Sequence, residues 1–256
     1  MKTSEPRISV ITVTYNSQKY LEKCLESVAE QTYRNFEHII VDGGSSDETL
    51  SILERHRQPF LHVVSESDNG PYDAMNKGTS LATGKLILFL NSDDYFVSPH
   101  SLQALAGGLN GHAESWCCGR IGFVDAQNKV LSVDVFKNYD FREMLVHNII
   151  RHPACLMPQA WVRTLPFDLR FKHAADYLLM LRVWKLYGPP RFIDEQISNF
   201  RLDGRNLSSD IKSSIYDEQK ARQLFRKEAR QTIWIPLDWA VSRLRLLAAS
   251  WRSRGR

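Results

Sequence analysis

Two adjacent carboxylates end an apolar run in the first half of the chain. Residues 85–90 are followed by Asn91-Ser92-Asp93-Asp94. Neighbouring carboxylates repel each other unless a cation or strong hydrogen-bond donors lie beside them, and their oxygen atoms suit Mg²⁺ or Mn²⁺ carrying a diphosphate. The same residue types also suit an exposed polar turn with an aspartate helix cap. From the residues alone, the segment indicates either a metal-diphosphate site or a turn.

Three more polar segments follow apolar runs in the same way. They are Thr14-Tyr15-Asn16, Asp42-Gly43-Gly44-Ser45-Ser46 and Ser67-Asp68-Asn69-Gly70. In open α/β sheets, ligands bind at the edge where the parallel strands end. If the four apolar runs are neighbouring strands, their polar ends gather at one site.

The elements that would position these segments alternate between strand and helix. An apolar, β-branched run at 8–13 predicts a strand buried on both faces, and 36–41, 61–64 and 85–90 are predicted as three further strands. Between them, helical spacing predicts helices capped by Asn16 or Ser17, opened by a capping box of Ser45 and Glu48, and extending over 72–81. This alternation predicts an α/β fold with a mostly parallel sheet and helices on both faces.

The second half of the chain has a different pattern. We expect a helix around 102–105, an antiparallel hairpin of 116–124 and 130–135, and a helix around 177–184 that ends at Gly188-Pro189-Pro190. No linker composition appears before about residue 210. The chain is therefore interpreted as one domain over 1–215, with a small antiparallel part, followed by a helical extension over 216–256.

Composition and missing motifs exclude several classes of protein. The 256 residues are 43% hydrophobic and 24% charged, which is typical of a folded globular chain. The four cysteines form no C-x-x-C pair, so buried thiols are expected rather than a zinc site. No G-x-G-x-x-G follows the first strand, and the segment 78–86 lacks the spacing and the Ser/Thr of a P-loop. With no apolar run of spanning length and no signal-peptide pattern, we expect a cytoplasmic protein.

Several motifs in order resemble one enzyme family. The series is I-T-V-T-Y-N at 11–16, I-I-V-D-G-G-S-S-D-E-T at 39–49, N-G-x-x-x-A-x-N-K-G at 69–78 and F-L-N-S-D-D at 89–94. Over residues 7 to about 210, the chain is similar to the family 2 glycosyltransferases of the GT-A fold. Its segment G-P-Y-D-A-M-N-K-G resembles the bacterial transferases that assemble polysaccharides.

On the donor side, the resemblance implies a nucleotide sugar, with UDP in preference to GDP, and Mn²⁺ or Mg²⁺ as cofactor. Tyr15 would stack on the base and Asp42 would accept from its N–H group; Asp93 would face the ribose, and Asp94, together with Asp93, would hold the metal. The further donor contacts implied are Thr14, Asn16, Asn76 and Lys77. Two departures from the family pattern are Asn91, where most members have an acid, and Met75, where many have an arginine, which leaves Lys77 as the candidate replacement.

On the acceptor side, the run 167–182 resembles the family segment that carries the catalytic base, here Asp176. From the residues alone, Asp176 could equally be a helix cap. His152 resembles an acceptor-side residue, although a lone histidine is often structural. The segment 199–208 resembles a loop that closes over the donor phosphates, with Arg201 and Arg205 as phosphate contacts or as solvated loop arginines.

The implied reaction is an inverting, metal-dependent transfer of a sugar to a hydroxyl of a saccharide or lipid-linked oligosaccharide, as in polysaccharide or glycan assembly. Two alternatives remain. A sugar-nucleotide pyrophosphorylase would need a Gly-rich loop after the first strand, where this chain has Thr14-Tyr15-Asn16. A non-catalytic nucleotide- or membrane-binding protein would have no need of both Asp94 and Asp176. Nucleic acid is not an expected partner, because the body of the chain has no basic face with interleaved aromatic residues.

The C-terminal extension has its own composition. Residues 219–256 contain ten Lys or Arg and two Asp or Glu, and one helical stripe is apolar: Leu237, Val241, Leu244, Ala248 and Trp251. Tryptophans beside an apolar stripe and an arginine-rich face are typical of a helix that lies in a membrane interface, here at the cytosolic face. The alternative is a helix packed on the domain or on a second subunit. If the extension only docks on membranes, a chain ending near Gln231 should stay folded.

Overall fold

The computed structural model describes residues 5–112, 114–134, 140–203, 210–231 and 234–254. The strands are β1 (Ile8–Thr14), β2 (Phe36–Asp42), β3 (Leu61–Ser65), β4 (Leu86–Phe89), β5 (Tyr95–Phe96), β6 (Cys117–Val124), β7 (Val130–Val133), β8 (Cys155–Pro158) and β9 (Arg191–Arg201). The helices are α1 (Leu21–Ala29), α2 (Thr49–Arg55), α3 (Pro71–Leu81), α4 (Ser101–Gly108), α5 (Phe141–Met144), α6 (Gln159–Thr164), α7 (Ala175–Tyr187), α8 (Ile211–Glu228) and α9 (Ile235–Arg254).

The strands form one sheet in the order β3-β2-β1-β4-β8-β6-β9-β5, with β7 paired to β6. The first four strands of this order are parallel, in a register that places Ile8 opposite Phe36 and Leu86. Every residue of β1, β2 and β4 is buried, as predicted for the first strand, whereas the edge strand β3 is half exposed. The sequence-based prediction of these four strands is confirmed.

Helices cover both faces of the sheet. Because alternate residues of a strand point to opposite faces, Ile11 and Val13 join a core that includes α3 and α7, while Ile8 and Val10 join a core that includes α1 and α4. Helix α3 approaches β1 so closely that a Cβ atom at Gly78 would lie 2.6 Å from Cγ2 of Ile11. The mixed α/β architecture that the sequence predicts is therefore present.

The second half adds an antiparallel part beside β4. Strand β8 pairs antiparallel to β4 and β6, and β6 and β7 form the predicted hairpin. Strand β9 pairs parallel to β6 and antiparallel to β5. The four cysteines are buried free thiols, as expected.

The predicted helix starts near the first two strands are wrong. Helix α2 begins at Thr49 rather than after a Ser45 cap, because the Ser45 hydroxyl donates to Asp42 and accepts from the backbone N–H of Asn16. Helix α1 begins at Leu21, and Asn16 has a positive φ of 48° in the loop before it. The polar residues after β1 and β2 are therefore bonded to each other instead of capping helices.

The C-terminal helices pack on the domain. Helix α8 buries Ile215, Ala221 and Phe225, so the boundary predicted at residues 215 and 216 falls inside a helix of the core. Helix α9 packs on α8 through a polar face in which Asp238 lies 2.8 Å from Nε of Arg226 and 3.6 Å from Nε of Arg222. No helix of the described ranges is both long enough and apolar enough to cross a membrane.

Candidate active site

A cavity of about 1170 Å³ opens where β1 to β4 end. Its wall is formed by the loops after these strands, by α3, by the start of α7 and by residues of α8 and α9. Six of the residues predicted for the site line it: Thr14, Tyr15, Asn16, Asp93, His152 and Asp176. The polar segments after the strands therefore meet at one edge of the sheet, as the topology predicts.

Asp176 lies in the first turn of α7 and is held by groups from other parts of the chain. The Tyr72 hydroxyl donates to its Oδ1 at 2.8 Å, while Nδ2 of Asn148 and Nδ1 of His152 each lie 3.3 Å from its Oδ2. Burial opposes ionisation of the carboxyl group, but the hydrogen bonds and charge of His152 and the hydrogen bond from Tyr72 outweigh burial and lower the pKa of Asp176. The carboxylate is therefore ionised near neutral pH and able to accept a proton.

His152 connects Asp176 to the loop after β4. Its Nδ1 faces Asp176 and its Nε2 lies 3.3 Å from Nδ2 of Asn91, in a short 3-10 turn before β8. If Nδ1 carries the proton, it donates to Asp176 and Nε2 accepts from Asn91, so both ring nitrogens are used. The imidazole thereby joins the loop after β4 to the start of α7.

The two adjacent aspartates after β4 have different surroundings. Asp93 lines the cavity beside Asp203, and burial together with the charge of Asp203 raises the pKa of Asp93. Asp94 is 1% exposed; its Oδ1 accepts from the backbone N–H of Arg201 and its Oδ2 from Asn91. Burial and the neighbouring Asp93 raise the pKa of Asp94 well above its usual range. Of the pair, Asp93 lines the cavity and Asp94 does not, and the metal role predicted for Asp94 stays a prediction.

The carboxylates at this end of the cavity fit a hard divalent cation. Asp93 and Asp203 both line the wall, and the Tyr20 hydroxyl donates to Oδ2 of Asp203 at 3.0 Å. Carboxylate oxygens are the ligands that Mg²⁺ and Mn²⁺ prefer. A cation here would also offset the repulsion between the carboxylates of Asp93 and Asp203.

Arg201 does not line the cavity, and its predicted contact with a donor phosphate stays a prediction. Its guanidinium is buried, donates to the backbone oxygens of Asp93 and Asp125 and to Oδ1 of Asn128, and lies 4.0 Å above the Tyr20 ring. These contacts tie the turn between β6 and β7 to the loop after β4. Arg205, the other predicted phosphate contact, lies outside the described residues.

Three more predicted donor contacts do not line the cavity. Asp42 is fully buried, and its Oδ2 accepts from the backbone N–H groups of Gly44 and Ser45 and from the Ser65 hydroxyl. Asn76 bonds the backbone N–H and carbonyl of Phe167, both at 2.9 Å, and Lys77 pairs with Glu66 at 2.8 Å. Each of these side chains already has partners within the protein and supports the loops around the cavity.

Several lining residues were not among the predicted site residues. They include Tyr20, Asp68, Tyr72, Asn148, Lys172, His173, Asp203, Glu218 and Arg245. Asp68 and Tyr72 belong to segments that the sequence analysis singled out, and Asp203 lies in the segment expected to close over the phosphates. Glu218 and Arg245 come from α8 and α9, for which no sequence pattern indicated a place in the site.

Comparisons with known proteins find similar sequences and similar folds. A family model described as glycosyl transferase family 2 matches residues 9–162. An uncharacterized glycosyltransferase of Mycobacterium tuberculosis is 33% identical over 189 residues, which cover 70% of each chain. The crystal structure of S. aureus TarS 1-349 in complex with UDP-GlcNAc has a TM-score of 0.69 and 25% identity, covering 87% of this chain and 66% of that one. A mannosyltransferase, PcManGT from Pyrobaculum calidifontis, in complex with GDP-Man and Mn²⁺, shares the fold with a TM-score of 0.63 and 19% identity, covering 97% of this chain and 76% of that one.

Proposed function

The chain belongs to glycosyl transferase family 2 and has the GT-A fold, and from this premise we propose that it transfers a sugar from a nucleotide-sugar donor, UDP-linked in preference to GDP-linked, to a hydroxyl group of a saccharide acceptor. The observation that carries the proposal is the partly buried carboxyl group of Asp176, hydrogen-bonded by Tyr72 and His152, in the same cavity as Asp93. A base and a metal-ligating carboxylate facing one space are what a single displacement at a sugar carbon requires.

At the donor end, Tyr15 presents an exposed ring to the cavity, with a side chain 64% exposed and free to stack on a base. Asp93 would hold Mn²⁺ or Mg²⁺, with Asp203 as the second carboxylate beside it. When bound, such a cation stabilises the negative charge that develops on the departing diphosphate. The complex of TarS with UDP-GlcNAc supports a uridine donor for this chain.

At the reacting end, Asp176 takes the proton from the acceptor hydroxyl. The hydroxyl oxygen forms a bond to the anomeric carbon, while the bond from that carbon to the diphosphate oxygen breaks and its electron pair leaves with the nucleoside diphosphate. Because one displacement occurs from the opposite face, the configuration inverts and no protein nucleophile is needed. Tyr72 and His152 keep Asp176 ionised and oriented for this step.

The acceptor end is bounded by the C-terminal helices. The cavity continues past Lys172 to Ile211 and Ile215 of α8. It also reaches the ion pair between Glu218 of α8 and Arg245 of α9. A saccharide that reaches Asp176 from this side would contact both polar and apolar groups. We propose that the acceptor is a saccharide, lipid-linked where it serves polysaccharide or glycan assembly, and that it enters between α7 and α8.

The segment 234–254 supports a peripheral membrane contact, because several of its apolar side chains are exposed. Asp238 and Ser242 are buried against α8, whereas the exposed side chains include Trp234, Leu237, Trp239, Leu244 and Leu247. The segment 219–256 also carries ten basic and two acidic residues. An apolar face beside arginines fits an anionic lipid surface, where each basic residue contributes about 1 kcal/mol.

The donor proposal is tested by calorimetry with UDP. We expect Mn²⁺ to strengthen UDP binding and Asp93→Asn to remove most of that strengthening, since a neutral amide is a poor ligand for a hard cation. Excess chelator serves as the control. Equal affinity with Mn²⁺ and with chelator would refute the metal role, and a screen of nucleotide sugars that gives no product would refute the transferase assignment.

The membrane proposal is tested by sedimentation with vesicles of an anionic phospholipid at low salt. The variant with Leu244→Gln and Leu247→Gln should lose sedimentation, because both side chains are exposed on α9. Leu186→Gln on α7 is a matched control, since Leu186 is 62% exposed and Leu244 is 67% exposed. Wild-type protein that stays in the supernatant, or a double variant that sediments like wild type, would refute docking through α9.

A further inference from the structure

The end of the cavity expected to bind the nucleobase contains a carboxylate other than Asp42, the one predicted there. Asp42 is sealed by its own loop: besides the backbone N–H groups of Gly44 and Ser45, it accepts from the hydroxyls of Ser45 and Ser65. It is fully buried and does not line the cavity. Accepting from a nucleobase would require breaking bonds that hold the loop after β2, so this end needs a different acceptor.

Asp68 has the position that Asp42 lacks. It follows β3, lines the cavity with Tyr15 and Gly43, and its Oδ1 accepts from the backbone N–H of Gly70 at 2.8 Å, which fixes the carboxylate. Within the described part of the chain, its Oδ2 accepts no hydrogen bond. One oxygen is therefore positioned by the protein and the other is available to a ligand.

The position of Asp68 depends on the absence of a side chain at Gly43. A Cβ atom built there would lie 2.6 Å from Oδ2 of Asp68, closer than such contacts allow. The φ angle of Gly43 is not positive, so alanine would fit its backbone, and the nearest atoms that its Cβ would meet are those of the Asp68 carboxylate, which would have to move. Gly43 therefore leaves the space that the available oxygen of Asp68 occupies.

Resting on the proposed function, we propose that Asp68, and not Asp42, is the nucleobase acceptor of this chain and that it selects bases with a ring N–H group at the Watson–Crick edge. Uracil donates from N3, and guanine donates from N1 and N2. Cytosine presents an unprotonated N3 at the same place, whose lone pair would face the carboxylate. A site with a fixed acceptor rejects a ligand that lacks the donor, because the acceptor loses its water and gains no partner.

The test compares UDP with CDP, which share the ribose and the diphosphate and differ only in the base. Dissociation constants are measured by calorimetry with Mn²⁺ for the wild type, Asp68→Asn and Gly43→Ala, with GDP as a third ligand. We expect the wild type to prefer UDP to CDP by about 10- to 100-fold, the difference typical of a hydrogen bond to a charged group. In Asp68→Asn and in Gly43→Ala this preference should fall towards one.

A matched control is Asp73→Asn, because Asp73 bonds the neighbouring backbone N–H of Asn69 but does not line the cavity. It should keep the wild-type preference, and melting temperatures establish that each variant is folded. A folded Asp68→Asn variant that keeps the wild-type preference would overturn the inference, as would a wild type that binds CDP as tightly as UDP. Both results leave the proposed function intact, whereas a wild type that binds no nucleoside diphosphate would refute the proposed function as well.

Discussion

Removing the Asp238 carboxylate should destabilise the whole domain, although the residue lies in the C-terminal extension. Asp238 is 1% exposed and faces two guanidinium groups of α8, those of Arg222 and Arg226, which are 0% and 5% exposed. The variant Asp238→Ala leaves both cations buried without this partner. Arg222 keeps contacts with Ser242, the carbonyl of Val146 and, at 3.8 Å, Glu218, while the Nε of Arg226 loses its 2.8 Å hydrogen bond.

The expected magnitude follows from that burial. Breaking a buried ion pair by removing one partner typically costs about 3 to 5 kcal/mol, because the remaining charge stays out of water. For a chain of this length, the corresponding fall in melting temperature is on the order of 10 °C.

The assay is urea unfolding followed by tryptophan fluorescence, with calorimetry for the melting temperature. Glu54→Ala is a matched control, because Glu54 and Arg57 form an exposed ion pair that should contribute less than about 1 kcal/mol. An Asp238→Ala variant within about 1 kcal/mol of the wild type would refute the reasoning, since the two arginines would then have found other partners or water.

Three more outcomes are expected. Asp176→Asn should lower the rate of transfer by about 10² to 10⁴ while leaving the calorimetric affinity for UDP unchanged, because a general base acts on the acceptor; full activity would refute the assignment. The pKa of Asp176 is lowered from 3.8, so its base form is lost only below that pH, and His152→Gln should move the acidic limb of kcat/KM to higher pH, an effect absent if His152 is only structural. Burial raises the pKa of Glu37, but hydrogen bonds from Ser9 and Thr83 outweigh burial and lower that pKa below 4.5. The stability that the Glu37 carboxylate contributes is therefore present above pH 4.5 and lost as the pH falls through its folded pKa. In Glu37→Gln the free energy of unfolding should depend less on pH in this range, as urea unfolding from about pH 3 to 6 would measure.

The parallel half of the fold could be predicted from sequence because its signal is local. Strands β1 and β4 are buried on both faces, so each is a largely apolar, β-branched or aliphatic run that can be recognised without knowing its neighbours. The orientation of α9 could not be predicted in this way. Its contact with α8 is made by Asp238 and Ser242, and the polarity of those residues gives no sign of burial until Arg222 and Arg226 are placed against them.

The same difference between local signals and contacts with distant residues explains which parts of the candidate site could be predicted from sequence. Sequence placed acids and amides at the ends of the strands, and topology then brought these ends together at one edge. Which of the two adjacent acids faces the cavity depends on hydrogen-bond donors from distant parts of the chain. Asp94 accepts a hydrogen bond from the backbone N–H of Arg201, more than a hundred residues away, whereas Asp93 lines the cavity.

In the loops after β2 and β3, hydrogen-bond donors likewise decide which of two acids, Asp42 or Asp68, is available to a ligand. Asp42 matched the expected position of a base-binding acid, but the serines around it supply enough donors to use up its oxygens. The neighbouring glycine then opens a space, and the loop after β3 fills it with Asp68. A residue's position in a motif therefore predicts where its backbone lies, while the hydrogen-bond donors around it decide whether the side chain is available to a ligand. For that reason the partners of each carboxylate, more than its alignment with a motif, indicate which acids of this site bind the donor.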